Sequence, residues 1–371
     1  MLKVLHFYKT YYPDTFGGVE QVIYQLSESG AAYGIDSTVL SLSKRGDNDN
    51  KIGSHRVCYA KTNFEIASTP FSFSSIRKFA ELAKEADIIH YHFPFPFMDM
   101  LHFICRIKKP TVVSYHSDIV RQKSFLRLYA PLMNMFLRRV DCIVASSPNY
   151  VYTSLTLQKY LHKVKVIPYG LKESSYPICK SEKLDYWRNK FGENFFLFVG
   201  TLRYYKGLHV LLEAATRPEL KIVIVGSGTE EQKLKSKAKE LGLSNINFVG
   251  AVTDEDKSAL LTLCYCVVFP SHLRSEAFGI SLVEGAMHAK PLISAEIGTG
   301  TSFINVDGLT GLVVTKNSPE ELRTAMLKML ADPDKADAYG RNAYERYLNL
   351  FTAEKMTQEY QSVYLDIVKG N

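Results

Sequence analysis

Two glutamates, Glu276 and Glu284, stand eight positions apart in Ser275-Glu276-Ala277-Phe278-Gly279-Ile280-Ser281-Leu282-Val283-Glu284-Gly285, shortly after the apolar run Val267–Pro270. Apolar residues at 280, 283 and 287 follow a helical period, which puts a helix opening near Phe278 or Gly279. A helix opening offers unpaired backbone N–H groups and the positive end of the dipole, which suits phosphate or sugar oxygens. Glycine there lets a ligand approach the backbone closely. If both glutamates ride the helix, they lie roughly 12 Å apart along its axis, and each could grip a different hydroxyl-bearing part of one long ligand. The plainer alternative is one glutamate favoured by the dipole and another exposed on the helix surface.

A second candidate is Phe198-Val199-Gly200-Thr201-Leu202-Arg203-Tyr204-Tyr205-Lys206-Gly207, where a strand ends in glycine and two cations follow. Arg203 and Lys206 could clamp a diphosphate and neutralise a leaving group, or form an ordinary solvated loop. A third is Gly17-Gly18 after the first strand, either a tight turn or backbone amides set for a phosphate. His116 ends the run Thr111–Tyr115, in position to donate to a substrate hydroxyl or to serve as a structural group. His90 and His92 share one strand face, but no third ligand for a metal is evident. Asp47-Asn48-Asp49 sits in a polar stretch that reads as a loop rather than a metal-binding DxD, and Asp254-Glu255-Asp256 reads as helix capping. There is no Walker loop, HExxH or GxSxG, and Gly226-Ser-Gly228 and Gly298-Thr-Gly300 each lack the third glycine of a dinucleotide fingerprint.

Elements to position these groups are legible along the chain. In the first half, strands are expected at Lys3–Phe7, Ser37–Leu42, Asp87–Phe93, Thr111–Tyr115, Cys142–Ser146 and Lys165–Pro168. In the second half they are expected at Phe195–Val199, Lys221–Val225, Asn247–Val249, Val267–Pro270, Leu292–Ala295 and Leu312–Val314. Helical patterns separate them, so the fold class is α/β, with parallel sheets built of βαβ units. The length of 371 residues suits two domains. They are expected at 1–168 and 169–350, joined near Tyr169-Gly170-Leu171, each a Rossmann-like doubly wound domain. Ligands of such folds lie beyond the carboxyl ends of the strands, so two facing domains would place the active site in a cleft between them.

Charge is unevenly spread. Residues 1–168 carry 21 Lys+Arg against 13 Asp+Glu, a balance of +8, and the remainder carries 24 against 25, within a total of +7. A basic half suits an anionic partner, and the helix around Arg121, Lys123, Arg127, Arg138 and Arg139 has the apolar surface to rest on an anionic membrane. No recognised nucleic-acid module is visible. No apolar run is long enough to span a bilayer, and Met1–Tyr8 reads as a first strand rather than a signal peptide. The six scattered cysteines read as reduced thiols of a cytoplasmic protein.

Taken in order, these motifs resemble the family-4 retaining glycosyltransferases, of GT-B fold. The resemblance runs through Gly17-Gly18, His116, Val166–Gly170, Gly200–Gly207, Val223–Gly228, Glu276 to Glu284, Pro291–Ser294 and Asp307–Leu312. It implies that Glu276 binds donor-sugar hydroxyls and that Phe278, Gly279 and Ile280 present backbone donors to the sugar and diphosphate. It gives Glu284 the ribose and Lys206 the diphosphate, while Gly17 and Gly18 cover the diphosphate and His116 contacts the transferred sugar. It also implies action without a metal or other cofactor, and a tail, 351–371, packing back on the first domain. One departure is Thr201 where many members have the diphosphate-binding arginine; Arg203, one strand period on, is the substitute if the segment stays extended. Glu296-Ile297-Gly298-Thr299-Gly300-Thr301-Ser302 with Asn305 is similar to bacterial O-antigen mannosyltransferases and related rhamnosyltransferases. That implies GDP-mannose as donor and a lipid-diphosphate-linked saccharide as acceptor, at the inner face of the cytoplasmic membrane. The alternatives are a UDP-sugar donor, a sugar-nucleotide epimerase, and a non-catalytic nucleotide-sugar or nucleic-acid binding protein.

Overall fold

The structure, a computed structural model, describes the backbone of residues 1–119 and 123–370, and their side chains except at 123–126. The chain forms two compact units, Met1–Gly170 with the tail from Ala353, and Leu171–Thr352.

The first unit is built on β1 (Leu2–Phe7), β2 (Ile35–Ser43), β3 (Asn48–Ile52), β4 (His55–Lys61), β5 (Phe64–Ile66), β6 (Thr69–Phe71), β7 (Ile88–Phe93), β8 (Thr111–Tyr115), β9 (Cys142–Ala145) and β10 (Val164–Val166). Its main sheet has the order β10-β9-β8-β7-β1-β2-β4-β3. β7, β8 and β9 are buried at every residue, as expected of parallel strands covered on both faces. Strand order reverses beside β1, between β7 and β2, so the carboxyl ends of β1 and β7 flank a switch point. The tail helix Ala353–Gly370 belongs to this unit: Tyr364 Oη lies 2.6 Å from His90 Nδ1, and Tyr360 Oη 2.6 Å from Ser114 Oγ.

The expected polar loop over Lys44–Lys51 is corrected. Asn48–Ile52 is an edge strand, antiparallel to β4, which an exposed polar sequence conceals because it buries no apolar face. Asp49 pairs there with Arg56 and Lys78, both at 2.7 Å. Asp47 accepts from Ser74 Oγ and from the Lys61 amide. Both carboxylates thus serve the sheet edge.

The second unit carries β11 (Phe196–Val199), β12 (Ile222–Val225), β13 (Ile246–Gly250), β14 (Cys266–Phe269), β15 (Leu292–Glu296) and β16 (Gly311–Thr315). They form one sheet in the order β13-β12-β11-β14-β15-β16, with every pair parallel. Its core joins Phe196, Phe198, Ile222, Ile224, Val268 and Ile293 to Leu211, Leu322 and Met326 of the covering helices. Order reverses between β11 and β14. The segments following those two strands, Gly200–Gly207 and Pro270–Gly279, therefore meet at the point where a doubly wound sheet opens to a ligand.

Two glycines of the broken fingerprint have a packing role. A β-carbon on Gly226 would lie 2.0 Å from the Gly200 carbonyl oxygen, and one on Gly228 would lie 2.3 Å from that of Leu202. The loop after β12 thus lies hard against the Gly200–Leu202 segment. All six cysteines are free thiols. Among the described residues, no helix is long and apolar enough to cross a membrane.

Candidate active site

The centre of the second unit's site is an ion pair between residues 70 positions apart. Lys206 Nζ donates to Glu276 Oε2 at 2.5 Å, and both side chains are about nine-tenths buried. Lys206 closes the turn after Arg203, just before Gly207, whose φ of +71° places it in the left-handed region. Burial alone would lower the ammonium, but the carboxylate of Glu276 outweighs it and holds Lys206 above the usual lysine range. The Lys206 ammonium also lies 4.7 Å from the centroid of the Phe269 ring. A polar ligand entering here would find an ammonium for an anion and a carboxylate for hydroxyls, each already desolvated and neutralised by the other.

Glu276 is not on the helix. The helix runs Ile280–Met287 with Gly279 as its N-cap at φ +104°. The expected spacing of two glutamates along one axis is therefore replaced by a loop carboxylate and a helix carboxylate. Gly279 is required on two counts: its left-handed φ, and a β-carbon that would sit 3.2 Å from Leu282 and 3.3 Å from Phe269. Among the described residues no side chain caps the helix; Leu282 N donates to Gly279 O, which leaves the amides of Ile280 and Ser281 for a ligand. Phe278 is buried against Gly300, where a β-carbon would meet the Phe278 ring at 2.6 Å. The Gly298–Ser302 segment thus buttresses the Glu276–Ile280 loop, with Gly300 N donating to Ala277 O and Arg274 to Gly298 O.

Glu284 is buried, and its Oε1 accepts from Tyr176 Oη at 2.8 Å and pairs with Lys257 Nζ at 2.9 Å. Neither partner was singled out from the sequence. Lys257 is hidden as a basic residue after the acidic run 254–256, where Thr253 caps the helix by accepting from the Asp256 amide. Tyr176 lies in an irregular stretch with no periodicity. Ser271, which approaches Glu276 Oε2 at 3.5 Å, was equally missed.

Arg203 is extended, at φ −117° and ψ 151°. Its carbonyl accepts from the Lys206 amide at 3.0 Å, but among the described residues its guanidinium makes no ion pair with Glu276. Instead it lines a groove with Tyr204, Leu208, His209, Glu230, Lys233, Leu234 and Lys237. The three-residue turn that buries Lys206 leaves Arg203 exposed on the side of the helix Glu231–Glu240.

In the first unit, Gly17 is the N-cap of the helix Gly18–Gly30, in extended backbone and without a side-chain cap. Glu20 in its first turn accepts from Thr10 at 2.8 Å and Thr15 at 2.7 Å, holding the preceding loop against the helix opening. His116 follows β8 as expected, but it is enclosed. Its Nδ1 lies 2.6 Å from Tyr169 Oη and its Nε2 2.9 Å from His92 Nδ1. His92 Nε2 in turn lies 3.1 Å from His6 Nδ1, and His6 Nε2 has no partner among the described residues. The third imidazole missing beside His90 and His92 is thus His6, supplied by the neighbouring β1, and the ligand atoms of the three lie within 4.8 Å of one another. Both nitrogens of His90 and of His92 are already engaged in hydrogen bonds. Burial lowers His116 and His6 to about 3, for His6 with help from His55. Burial and the neighbouring imidazoles hold His90 and His92 well below the usual value.

Two doubly wound units, the second all-parallel and the first largely so, are the architecture of the GT-B fold. The chain belongs to the family-4 glycosyltransferases: residues 16–174 match the family model described as Glycosyltransferase Family 4, and residues 182–346 match Glycosyl transferases group 1. It is 54% identical to the D-rhamnosyltransferase WbpZ of Pseudomonas aeruginosa, over 95% of this chain and 93% of that one. It is 52% identical to the O-antigen chain mannosyltransferase C of Escherichia coli over the full length of both. Among solved structures, a sucrose-phosphate synthase from Thermosynechococcus elongatus superposes with a TM-score of 0.82 at 20% identity, covering both chains entirely. Anabaena HepE in complex with UDP and glucose gives 0.77 at 20% identity, over 98% of this chain and 99% of that one. At that identity these two establish the shared fold.

Proposed function

We propose that the protein transfers mannose from GDP-mannose, with retention at the anomeric carbon, onto a lipid-diphosphate-linked saccharide during O-antigen assembly. The observation that carries the reading is the buried Lys206–Glu276 pair beside the uncapped helix at Gly279. On this reading the donor separates the pair: its diphosphate takes the ammonium and helix amides, and its sugar hydroxyls take the carboxylate. Glu284 holds the ribose, and the Gly17-Gly18 turn serves the diphosphate; a sugar contact by His116 would require it to release Tyr169 or His92. The acceptor hydroxyl attacks the anomeric carbon on the face that the diphosphate leaves, and its proton passes to a departing phosphate oxygen. Catalysis is then chiefly charge stabilisation at that phosphate, supplied by Lys206 and the helix-opening amides of Gly279 and Ile280, without a metal. Relatives at 52% and 54% identity named for O-antigen mannose and for D-rhamnose transfer support the sugar class. GDP-linked D-rhamnose, which lacks the 6-hydroxyl of mannose, is the second reading, favoured by the 54% identity.

The basic first unit suits an anionic membrane bearing the acceptor. The helix Lys123–Arg139 supports this by exposing Leu128 and Met135 and ending in Arg138 and Arg139; Arg121 lies outside the described residues. Such attachment would hold the enzyme at the inner face of the cytoplasmic membrane, with nucleotide sugar rather than nucleic acid as its soluble partner.

The test is transfer from GDP-mannose, GDP-D-rhamnose, UDP-glucose and UDP-N-acetylglucosamine to a synthetic lipid-diphosphate saccharide, with and without EDTA. Product configuration is read by NMR. An α-mannoside formed equally well in EDTA is expected. Turnover with a UDP-sugar alone, an inverted product, or activity only with added divalent ion would overturn the corresponding part of the proposal.

A further inference from the structure

We propose that Tyr176 is a positioning residue for the donor nucleoside, acting with Lys257 through Glu284, and that it sets discrimination for the ribose hydroxyls. The inference rests on the reading of Glu284 as the ribose ligand. A carboxylate offers two oxygens and about four acceptor directions. Here Tyr176 Oη and Lys257 Nζ both converge on Oε1, at 2.8 and 2.9 Å. That fixes the plane of the carboxylate and leaves Oε2 for a ligand hydroxyl.

The two partners are themselves tied down. The Lys257 ammonium lies 5.0 Å from the centroid of the Tyr176 ring and 3.1 Å from Asp254 Oδ1. Burial lowers Lys257, but Glu284 and then Asp254 outweigh it and raise it above the usual lysine range, so it stays charged. The Tyr176 ring also meets His288 edge-on at 6.4 Å, and His288 Nδ1 donates to the Glu284 carbonyl at 2.9 Å. Lysine supplies a counter-charge beside the buried carboxylate. Tyrosine supplies direction, because its rigid ring points one O–H at one oxygen. Tyr176 belongs to the stretch 172–180 and reaches a helix residue 108 positions away. The tight turn Glu173–Ser175, whose end is closed by Tyr176 N donating to Glu173 O, sets where the ring emerges.

The experiment is calorimetric titration of the full chain with GDP and UDP and with their 2′,3′-dideoxy forms. Wild type, Tyr176→Phe, Tyr176→Ala and Glu284→Ala are compared. Tyr176→Phe keeps the ring and removes one hydrogen bond to a charged group, so it should weaken the better-binding ribonucleotide about five- to tenfold. The same variant should bind the dideoxy form as wild type does, because no ribose hydroxyl is then read. Tyr176→Ala should cost more with the ribonucleotide, since it also releases Lys257. An equal loss with both nucleotide forms would mean that Tyr176 merely supports the fold, and would overturn this inference while leaving the ribose role of Glu284 standing. If Glu284→Ala also fails to distinguish the two forms, the parent reading falls instead.

Discussion

The four imidazoles of the first unit make its stability depend on pH in a direction the structure fixes. His6, His90, His92 and His116 are all buried, three of them fully, and are held neutral. An unfolded chain protonates its histidines near 6.5. As pH falls below that value the unfolded state takes up protons that the fold refuses, so stability is complete above about 6.5 and declines down to the folded value of about 3. At pH 5, His6 and His116 each cost about 2 kcal/mol. His90 and His92 act in the same direction, as does His102, lowered to about 4 chiefly by burial; His272, lowered to about 4 chiefly by burial, acts likewise on the second unit. About 4 kcal/mol from two residues is a large share of the 5–15 kcal/mol typical of a domain. It corresponds to a fall in Tm of about 10 °C for a unit of this size. Calorimetric melts at pH 8, 7, 6 and 5 should show the transition moving down steeply below pH 6.5. His6→Gln, which removes one titrating ring whose Nε2 has no partner among the described residues, should recover about 2 kcal/mol of the loss between pH 8 and 5. A Tm that stays flat from pH 7.5 to 5, or an unchanged slope in His6→Gln, would refute the reasoning.

Three further outcomes are expected. Lys206→Ala should lower kcat on the order of a hundredfold; Lys159→Ala, at an exposed position, should not, and Arg203→Ala should lose less than Lys206→Ala because it lies off the ion pair, all measured by steady-state transfer with folding checked by circular dichroism. Glu276→Ala should weaken intact nucleotide sugar but barely affect free nucleotide, whereas Glu284→Ala should weaken both, as read by calorimetry. Gly279→Ala forces a side chain into φ +104°, so it should cost about 1–2 kcal/mol in thermal melts and weaken donor binding further by shifting the helix opening.

The expected strands appear because each buried parallel strand is a continuous apolar run bounded by turn residues, a pattern visible without knowing its neighbours. Expected boundaries at 168 and 350 compare with observed divisions after Gly170 and Thr352. The edge strand Asn48–Ile52 and the short hairpin Phe64–Ile66/Thr69–Phe71 escaped, because an exposed edge and a three-residue strand carry no such period. The helix opening, the two glutamates and Lys206 were legible, since capping chemistry and glycine punctuation are local. Their arrangement was not. Whether Glu276 rode the helix depended on the left-handed turn at Gly279, and Arg203 separated from Lys206 because a tight turn intervenes.

By itself, the sequence determined the α/β class, the position of each long buried strand, and the residue types at strand ends, because periodicity, burial and helix-end chemistry act over a few neighbouring residues. Only tertiary structure decided that Lys206 meets Glu276, that Tyr176 and Lys257 share one oxygen of Glu284, and that His6 completes the imidazole cluster enclosing His116. Those partners are 70, 108 and 86 residues apart in the pairs Lys206–Glu276, Tyr176–Glu284 and His6–His92. Strand order and register bring them together, and both are set by how whole faces pack rather than by any local spacing.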